Sequence, residues 1–454
     1  MINLRNMHTY GPQLLCLSAL LAWCDCESCI SPLHLTPFLD AGNTTAALEL
    51  SEVKDPREII PKSYAGFITT DRKAKNHLFF WFFPSLNDTN APLMVWLNGG
   101  PTVSSMFGLV YENGPIRTIT DNNHRVTYER RPNSWADPFS MLYIDNPVGT
   151  GFSYSETNSS KTTQDGYSEE LYLFIEQFYL MFPVYFSREL YIGGQSYAGK
   201  YVPAFAHRIH TRILEGTSNI PLTGIYLGGP YFDPLIQSLE FCELYYSLGK
   251  ISHSRLEKCK KEVSMLNEIV KWGIGVGRTY FELFGIAFPN VMHGSMDNYV
   301  TLQTPAISVV EKLLQTRVMQ VMLHACKLVF KVGNPSLMYK FRDDFVVSTK
   351  SKMADLMDRY KVLLYTGDYD GLITSPMVEA ALMSTPWKRQ EEYNNSVRSM
   401  WQPDNHLRGF YTKVGTFCRV VIHQAGHQTP HDQPESTLDM MTQFVQHGCI
   451  QENV

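Results

Sequence analysis

The sequence predicts an α/β fold with a central, mostly parallel sheet and a helical lid inserted into it. Short apolar runs rich in β-branched and aromatic residues alternate with segments whose apolar residues recur at helical spacing, as such a fold requires. In one long internal stretch, helical patterns replace this alternation. For 454 residues, one sheet core with an insertion is the simplest organisation.

Six apolar runs are predicted as strands, each ending close to a glycine, asparagine or aspartate. They are 93–97, 141–144, 189–192, 224–227, 362–365 and 417–423. Helical spacing predicts helices over 171–178, 202–213 and 438–445. Because ligand and catalytic groups lie beyond the carboxyl ends of parallel strands, the loops after these runs are the expected place of a functional site.

The pattern divides the chain into five predicted segments. They are a signal peptide at 1–28, an N-terminal segment at 29–60, the first part of the sheet core at 61–230, the lid at 231–360 and the second part of the core at 361–454. The signal peptide is indicated by Arg5 and by the apolar run 14–23, which is too short to span a bilayer. Within the lid, helical patterns cover 256–272 and 307–332.

Composition indicates a folded globular protein that does not bind nucleic acid. Apolar residues make up 44% of the chain and charged residues 18%, which excludes a disordered polyelectrolyte. The formal charge of -5 gives no basic excess for phosphate binding. No later segment has the roughly 20 uninterrupted apolar residues of a membrane span, so no membrane insertion is expected after signal removal.

Cysteines and sequons favour a secretory-pathway protein, lysosomal or extracellular. Five of the nine cysteines lie well beyond the signal, without zinc-type spacing, and disulfides are therefore expected: Cys242, Cys259, Cys326, Cys418 and Cys449. Four sequons are consistent with exposed glycosylation sites: Asn43, Asn87, Asn158 and Asn394.

Ser196 is the candidate nucleophile. It lies between small residues, after a predicted strand and before a predicted helix, close to the G-x-S-x-G turn that exposes a serine in hydrolases. Here the second glycine is displaced by one position, to Gly199. Such a serine needs an imidazole base and a carboxylate that orients the base, which follow in the order Ser, Asp, His.

Both partners have candidates at later strand ends. Asp368 and Asp370 follow one predicted strand, and spacing alone does not choose between them, since one of the two suits a turn-capping role. His427 follows another strand as the candidate base. The spacing of His423, His427 and His431 could suggest a metal-binding helix, but the Gly and Pro residues among them disfavour it. No metal and no cofactor are expected.

The sequence resembles a known family, the serine carboxypeptidases, and most of all their vitellogenic-carboxypeptidase-like group. The matching blocks run in family order through 64–67, 96–101, 145–154, 196–203, 365–370, 426–427 and 432–434. The resemblance implies an α/β-hydrolase fold with a triad of Ser196, Asp370 and His427, and so chooses between the two aspartates. It also implies an oxyanion hole from the backbone N–H groups of Gly100 and Tyr197.

The resemblance further implies how a free carboxylate would be recognised. The family uses the asparagine and glycine of the W-L-N-G-G segment, here Asn98 and Gly99, with two glutamates that share a proton. One of these is Glu112, but the residue before the nucleophile is Gln195. A glutamine still donates a hydrogen bond, yet it shares no proton with Glu112, so altered pH dependence is expected.

Two further departures from the family pattern concern the loops of the site. Thr102 stands where the family usually has glycine, and a β-branched residue would be strained there if the position needs φ > 0, which could move Gly100. Gln424 and Thr429, on either side of His427, are expected to affect the leaving-group pocket.

The expected function is removal of C-terminal residues from peptides or proteins through an acyl-enzyme, at the acidic pH that the family implies. One alternative is a catalytically attenuated secreted or lysosomal binding or protective protein. Another is an esterase or acyltransferase on the same fold. Asn98 and Glu112 favour a substrate that ends in a carboxylate. The sequence leaves the oligomeric state open, a homodimer included.

Overall fold

A computed structural model describes residues 31–123, 125–271, 297–303 and 305–451. The predicted signal peptide lies outside the described residues, and so does the part of the predicted lid at 272–296. Within the described residues, no helix is both long and apolar enough to cross a membrane.

The strands are, in chain order, β1 Glu52–Val53, β2 Ser63–Asp71, β3 Asn76–Phe83, β4 Leu93–Leu97, β5 Ile116–Thr120, β6 Val126–Arg130, β7 Ser140–Ile144, β8 Tyr154–Ser155, β9 Leu190–Gln195, β10 Leu222–Gly228, β11 Lys361–Gly367, β12 Ser399–Trp401, β13 Gly409–Val414 and β14 Phe417–Ile422. All six predicted strands are present, as β4, β7, β9, β10, β11 and β14.

One large mixed sheet organises the described part of the chain. Its order is β1-β2-β3-β7-β4-β9-β10-β11-β14-β13-β12, and β8 pairs with β3. The six strands from β7 to β14 are parallel, while both flanks are antiparallel. Parallel strands need long crossovers, and helices provide them here. The predicted α/β class, with a mostly parallel central sheet, is therefore confirmed.

The α-helices are α1 Thr36–Asp40, α2 Thr44–Ser51, α3 Ser105–Phe107, α4 Gln164–Met181, α5 Ala198–Leu214, α6 Pro234–Ser247, α7 His253–Lys271, α8 Ile307–Leu314, α9 Arg317–Met322, α10 Pro335–Lys340, α11 Arg342–Phe345, α12 Lys350–Met357, α13 Ser375–Met383, α14 Gln390–Asn394, α15 Thr429–Asp432 and α16 Pro434–His447. A π-helix, Gly108–Asn113, follows α3.

Between β10 and β11 the described residues contain helices α6 to α12 and none of the named strands. The pattern at 307–332, predicted as one helical stretch, is instead two short helices followed by irregular chain. The reason is local: the side chain of Thr316 accepts a hydrogen bond from the N–H of Met319 and so caps a new helix, α9. That part of the prediction was wrong in length.

Apolar layers cover both faces of the sheet. β3, β4 and β7 are buried at every position, as strands covered on both faces should be. Two disulfides lie in the described part. Cys242–Cys259 joins α6 to α7, and Cys418–Cys449 joins β14 to the segment that follows α16. The predicted disulfides are thus confirmed for these four cysteines, and Cys326 is also disulfide-bonded.

Candidate active site

Ser196 occupies the turn between β9 and α5. Its backbone has φ 61°, a left-handed conformation that a non-glycine residue keeps only when its surroundings enforce it. The surroundings do so here, because the N–H of Ser196 donates to the carbonyl of Gly228 at 2.9 Å and its carbonyl accepts from the N–H of Tyr231 at 2.9 Å. At Gly199 a Cβ would lie 2.7 Å from the backbone nitrogen of Tyr231, so this displaced glycine allows the turn to pack.

Asp370 and His427 form a buried pair on neighbouring loops after β11 and β14. Nδ1 of His427 lies 2.8 Å from Oδ2 of Asp370, and both side chains are almost completely buried. The other carboxylate oxygen of Asp370 accepts from the N–H groups of Leu372 and Ile373 at 2.8 and 2.9 Å. In the neutral imidazole, with Nδ1 donating to Asp370, Nε2 of His427 is the acceptor, and it makes no hydrogen bond within the described residues.

The electrostatic environment of His427 favours its protonated form. Burial lowers the pKa of His427, but the carboxyl groups of Asp370, Asp297 and Glu112 act against it and raise that pKa to about 9. Asp370 is the largest of the three favourable influences, through its charge and its hydrogen bond. An imidazole held in this way is suited to accept a proton and to carry the charge in a buried place.

Asp368 has a different partner. Its carboxylate lies 2.7 Å from Nδ1 of His423, and this pair is only partly buried. His431 instead lies with Nδ1 3.1 Å from the carbonyl oxygen of Tyr111. The side chains of His423, His427 and His431 therefore contact three different groups. No cluster of three potential metal ligands occurs in the part of the chain that the structure describes.

The loop after β4 lies directly against the serine. A Cβ at Gly99 would come within 2.8 Å of Cβ of Ser196, so only glycine fits at this close approach. Gly100 follows with φ 108°, and Thr102 has φ 71°. The condition stated for Thr102 is therefore met: a β-branched residue is held in the left-handed region. It is fully buried, and its hydroxyl donates to the carbonyl of Asn334 at 3.1 Å.

A buried polar cluster lies beside Ser196 and joins three of the residues singled out in the sequence. Nε1 of Trp96 donates to Oδ1 of Asn98 at 2.7 Å, which directs the amide NH₂ of Asn98 toward Oε1 of Glu112 at 3.2 Å. Nε2 of Gln195 donates to the same oxygen at 2.9 Å. Oε2 of Glu112 and Oε1 of Gln195 are buried and have no hydrogen-bond partner among the described residues.

Glu112 is held neutral over a wide pH range. It lies on the π-helix and is buried, and burial raises its pKa to about 8, although the hydrogen bond from Asn98 opposes the shift. A protonated Glu112 can donate a hydrogen bond that a carboxylate could accept. The cluster therefore presents amide and carboxylic acid groups of the kind that bind an anionic oxygen.

The two residues that flank His427 differ in their setting. Thr429 is buried, and its hydroxyl donates to the carbonyl of Gly426 at 3.1 Å, which steadies the turn that carries His427. Gln424 is exposed and has φ 58°.

Two residues of the site were missed in the sequence. Gly229 has φ 46°, and a Cβ there would lie 2.9 Å from Oδ2 of Asp370 and 3.1 Å from Nδ1 of His427. The Gly-Gly-Pro run at the end of β10 was the available signal. Asp297 lies in the inserted segment, and its backbone carbonyl accepts from the N–H of His427 at 2.6 Å. No sequence pattern marks it.

A serine at a strand-to-helix turn of a mostly parallel sheet, with a buried His–Asp pair on later strand ends, is the arrangement of the α/β-hydrolase class. Comparison with known proteins narrows this class. The family model described as serine carboxypeptidase matches residues 54–447. The chain belongs to the serine carboxypeptidase family and is a hydrolase of the exopeptidase type.

Individual relatives agree with the family. The probable serine carboxypeptidase CPVL of Homo sapiens is 34% identical over 435 residues, covering 91% of this chain and 89% of its own length. The vitellogenic carboxypeptidase of Aedes aegypti is 32% identical over 434 residues, with 91% and 89% covered. The prohormone-processing carboxypeptidase Kex1(Δ)p of Saccharomyces cerevisiae has the same fold, with a TM-score of 0.76 at 20% identity over 89% of this chain and 98% of that one. The predicted family is confirmed.

Proposed function

We propose that this carboxypeptidase cleaves the last peptide bond of its substrate through an acyl-enzyme on Ser196. Oγ of Ser196 attacks the scissile carbonyl while Nε2 of His427 takes its proton, and Asp370 keeps the imidazole oriented. The oxyanion is stabilised by the N–H groups of Gly100 and Tyr197. His427 then returns the proton to the leaving amine. Water, activated by the same imidazole, hydrolyses the ester and restores the serine.

The substrate's terminal carboxylate binds at the buried cluster. Asn98, Gly99, a protonated Glu112 and Gln195 are the proposed donors. The observation that carries the proposal is the convergence of Asn98 and Gln195 on Glu112, immediately beside the serine. Because burial raises the pKa of Glu112 to about 8, its proton is present at acidic and neutral pH and is lost as the pH rises through that value. This pKa sets an upper pH limit for carboxylate binding. The acidic working range is what the family resemblance implies, and it requires the pKa of His427 to fall from about 9 when substrate binds, because only the neutral imidazole accepts the proton of Ser196.

The test is release of C-terminal amino acids from a panel of blocked dipeptides between acidic and neutral pH. The wild type should release them, and Ser196→Ala should lose activity by a factor on the order of 10⁴ or more. A fluorophosphonate should label the wild type and not the variant. Hydrolysis that survives Ser196→Ala would refute the assignment of the nucleophile.

A second candidate function is a catalytically attenuated binding or protective protein. The observation that favours it is the left-handed backbone of Thr102, two residues from the proposed oxyanion donor Gly100. In that case fluorophosphonate labelling of the folded wild type would be absent or very slow, while peptides with a free carboxylate would still bind.

We further propose residence in the secretory pathway, lysosomal or extracellular, after removal of a signal peptide at 1–28. The disulfides support this placement, since such bonds persist in oxidising compartments. The four sequon asparagines are all exposed, as glycan attachment requires: Asn43, Asn87, Asn158 and Asn394. In the proposed organisation, the core at 61–230 and 361–454 carries the triad, and the lid spans 231–360.

A further inference from the structure

Residues 297–299, in the segment inserted between β10 and β11, are hydrogen-bonded to the two loops that carry Asp370 and His427. The backbone carbonyl of Asp297 accepts from the N–H of His427 at 2.6 Å. The hydroxyl of Tyr299 donates to the carbonyl of Asp368 at 2.8 Å, and its N–H donates to the carbonyl of Tyr369 at 3.1 Å. The insertion therefore contacts the catalytic loops through hydrogen bonds at several points.

Asp432 completes the attachment. Its Oδ2 accepts from the N–H of Gly426 at 2.7 Å and from Nδ2 of Asn298 at 2.9 Å, so one carboxylate oxygen joins the His427 turn to the inserted segment. Gly426 is required for this approach, because a Cβ there would lie 2.5 Å from the carbonyl oxygen of Asp297. The position of Asp297 relative to His427 is therefore set by the backbone of both segments.

The carboxylate of Asp297 also lies close enough to the imidazole of His427 to interact with its charge. Its carboxylate is hydrogen-bonded by the side chain of Gln428, the residue after His427. Burial raises the pKa of Asp297 to about 7, although the nearby imidazole of His427 opposes that shift. The other acidic groups that act on this pair are Asp370, Glu112 and Asp432, each on a different element.

We infer that Asp297 is a positioning residue for the proposed base: its backbone carbonyl fixes the His427 turn, and its carboxylate favours the imidazolium that forms when Ser196 gives up its proton. The inference rests on the proposed function of His427. Asp370 orients the imidazole from the Nδ1 side, and Asp297 adds a second acidic influence that is carried by the insertion. The insertion would then contribute to the chemistry as well as cover the sheet.

The experiment measures the titration of His427 directly, so that it does not depend on turnover. NMR follows the imidazole in full-length protein, with the signal assigned by its absence in His427→Gln. Asp297→Asn keeps the shape and the hydrogen-bond acceptor but removes the charge, and Asp297→Glu keeps the charge. The matched control is Glu257→Gln, which removes an exposed acid from α7 of the same insertion.

In Asp297→Asn the midpoint of His427 should fall by on the order of 1 pH unit, because loss of a nearby negative charge favours the neutral imidazole. In Asp297→Glu and in Glu257→Gln, the titration midpoint of His427 should be the same as in the wild type. The acid limb of kcat/KM should move to lower pH in Asp297→Asn, since His427 acts as a base only when neutral. Asp297→Ser removes the same charge and replaces the asparagine variant if that variant does not fold.

An unchanged midpoint in the uncharged variant would overturn the inference, and so would an equal shift in Glu257→Gln, which would indicate a general charge effect. The proposed function fails in a different way. If the wild type hydrolyses none of the blocked dipeptides while the midpoint still moves in Asp297→Asn, the peptidase proposal is lost and the role of Asp297 toward His427 remains.

Discussion

The proposed site has two halves that are held in place by different means. The triad half, Ser196, Asp370 and His427, lies on loops after the parallel strands, with backbone hydrogen bonds and closely packed glycines around it. The recognition half, Asn98, Glu112 and Gln195, is joined by a chain of buried side-chain hydrogen bonds. Backbone packing tolerates no added atom, whereas a side-chain network can exchange one polar group for another. Of the departures from the family pattern, Gln195 lies in the side-chain network, whereas Thr102 lies in the tightly packed loop after β4.

The sharpest way to break the triad half is Gly229→Ala. The added methyl carbon would lie 2.9 Å from Oδ2 of Asp370 and 3.1 Å from Nδ1 of His427, so the pair must move apart or tilt. A displacement of about 1 Å in such a site costs on the order of 10²-fold in rate, and we expect a loss of that size in kcat/KM. Hydrolysis of a blocked dipeptide measures it.

The control for this prediction is Gly216→Ala. Gly216 also has a left-handed backbone, with φ 70°, but no atom lies within 4 Å of its added Cβ. It therefore reproduces the backbone cost, about 1 kcal/mol, without the contact. Equal activity in the two variants would show that close packing against the Asp370–His427 pair is unimportant.

The triad half was also the part that the sequence could predict. A serine between small residues, an aspartate and a histidine at strand ends are local patterns, and the parallel strands that carry them are continuous apolar runs. The choice of Asp370 over Asp368 needed the family resemblance, since both follow β11 directly. In the structure they are told apart by their partners, His427 and His423.

What the sequence did not predict depends on contacts between distant segments. The antiparallel hairpin of β2 and β3, Ser63–Asp71 and Asn76–Phe83, is an exception, because its strands are neighbours in the chain and were still not predicted. Asp297 reaches His427 only because the insertion folds back over the sheet, and Gly229 matters only because of what packs against it. Periodicity reports which face of an element is apolar, but not which segment covers it.

The recognition half is tested most directly by Gln195→Glu. In the wild type Glu112 titrates without a second carboxyl beside it, and substrate binding weakens as the pH rises through its pKa of about 8. A glutamate at 195 would lie next to it, and two adjacent carboxylates do not both ionise readily, so one proton is held to higher pH. The alkaline limb of kcat/KM should move up by about 1 unit.

Glu112→Gln is the companion variant for this measurement. It removes the titrating group and keeps an amide donor, so the limb that Glu112 causes should disappear from its pH profile. Superimposable profiles for the wild type and Gln195→Glu would refute the idea that this departure changes the pH dependence.

The smallest effect is expected at Thr102, in the loop after β4 that carries Gly99 and Gly100. Thr102→Gly relieves a left-handed backbone at a β-branched residue and lets Gly100 relax, and about 0.5 to 1 kcal/mol of recovered oxyanion stabilisation is worth roughly two- to fivefold in kcat/KM. Thr102→Ala is the matched control, because it also loses the hydroxyl bonded to Asn334 but keeps a Cβ in the strained region. The glycine variant should gain activity and the alanine variant should not.

A gain of 10²-fold or more in kcat/KM of the glycine variant would have a different meaning. It equals the rate effect of one complete oxyanion donor, and it would identify Thr102 as the residue that attenuates the wild-type protein.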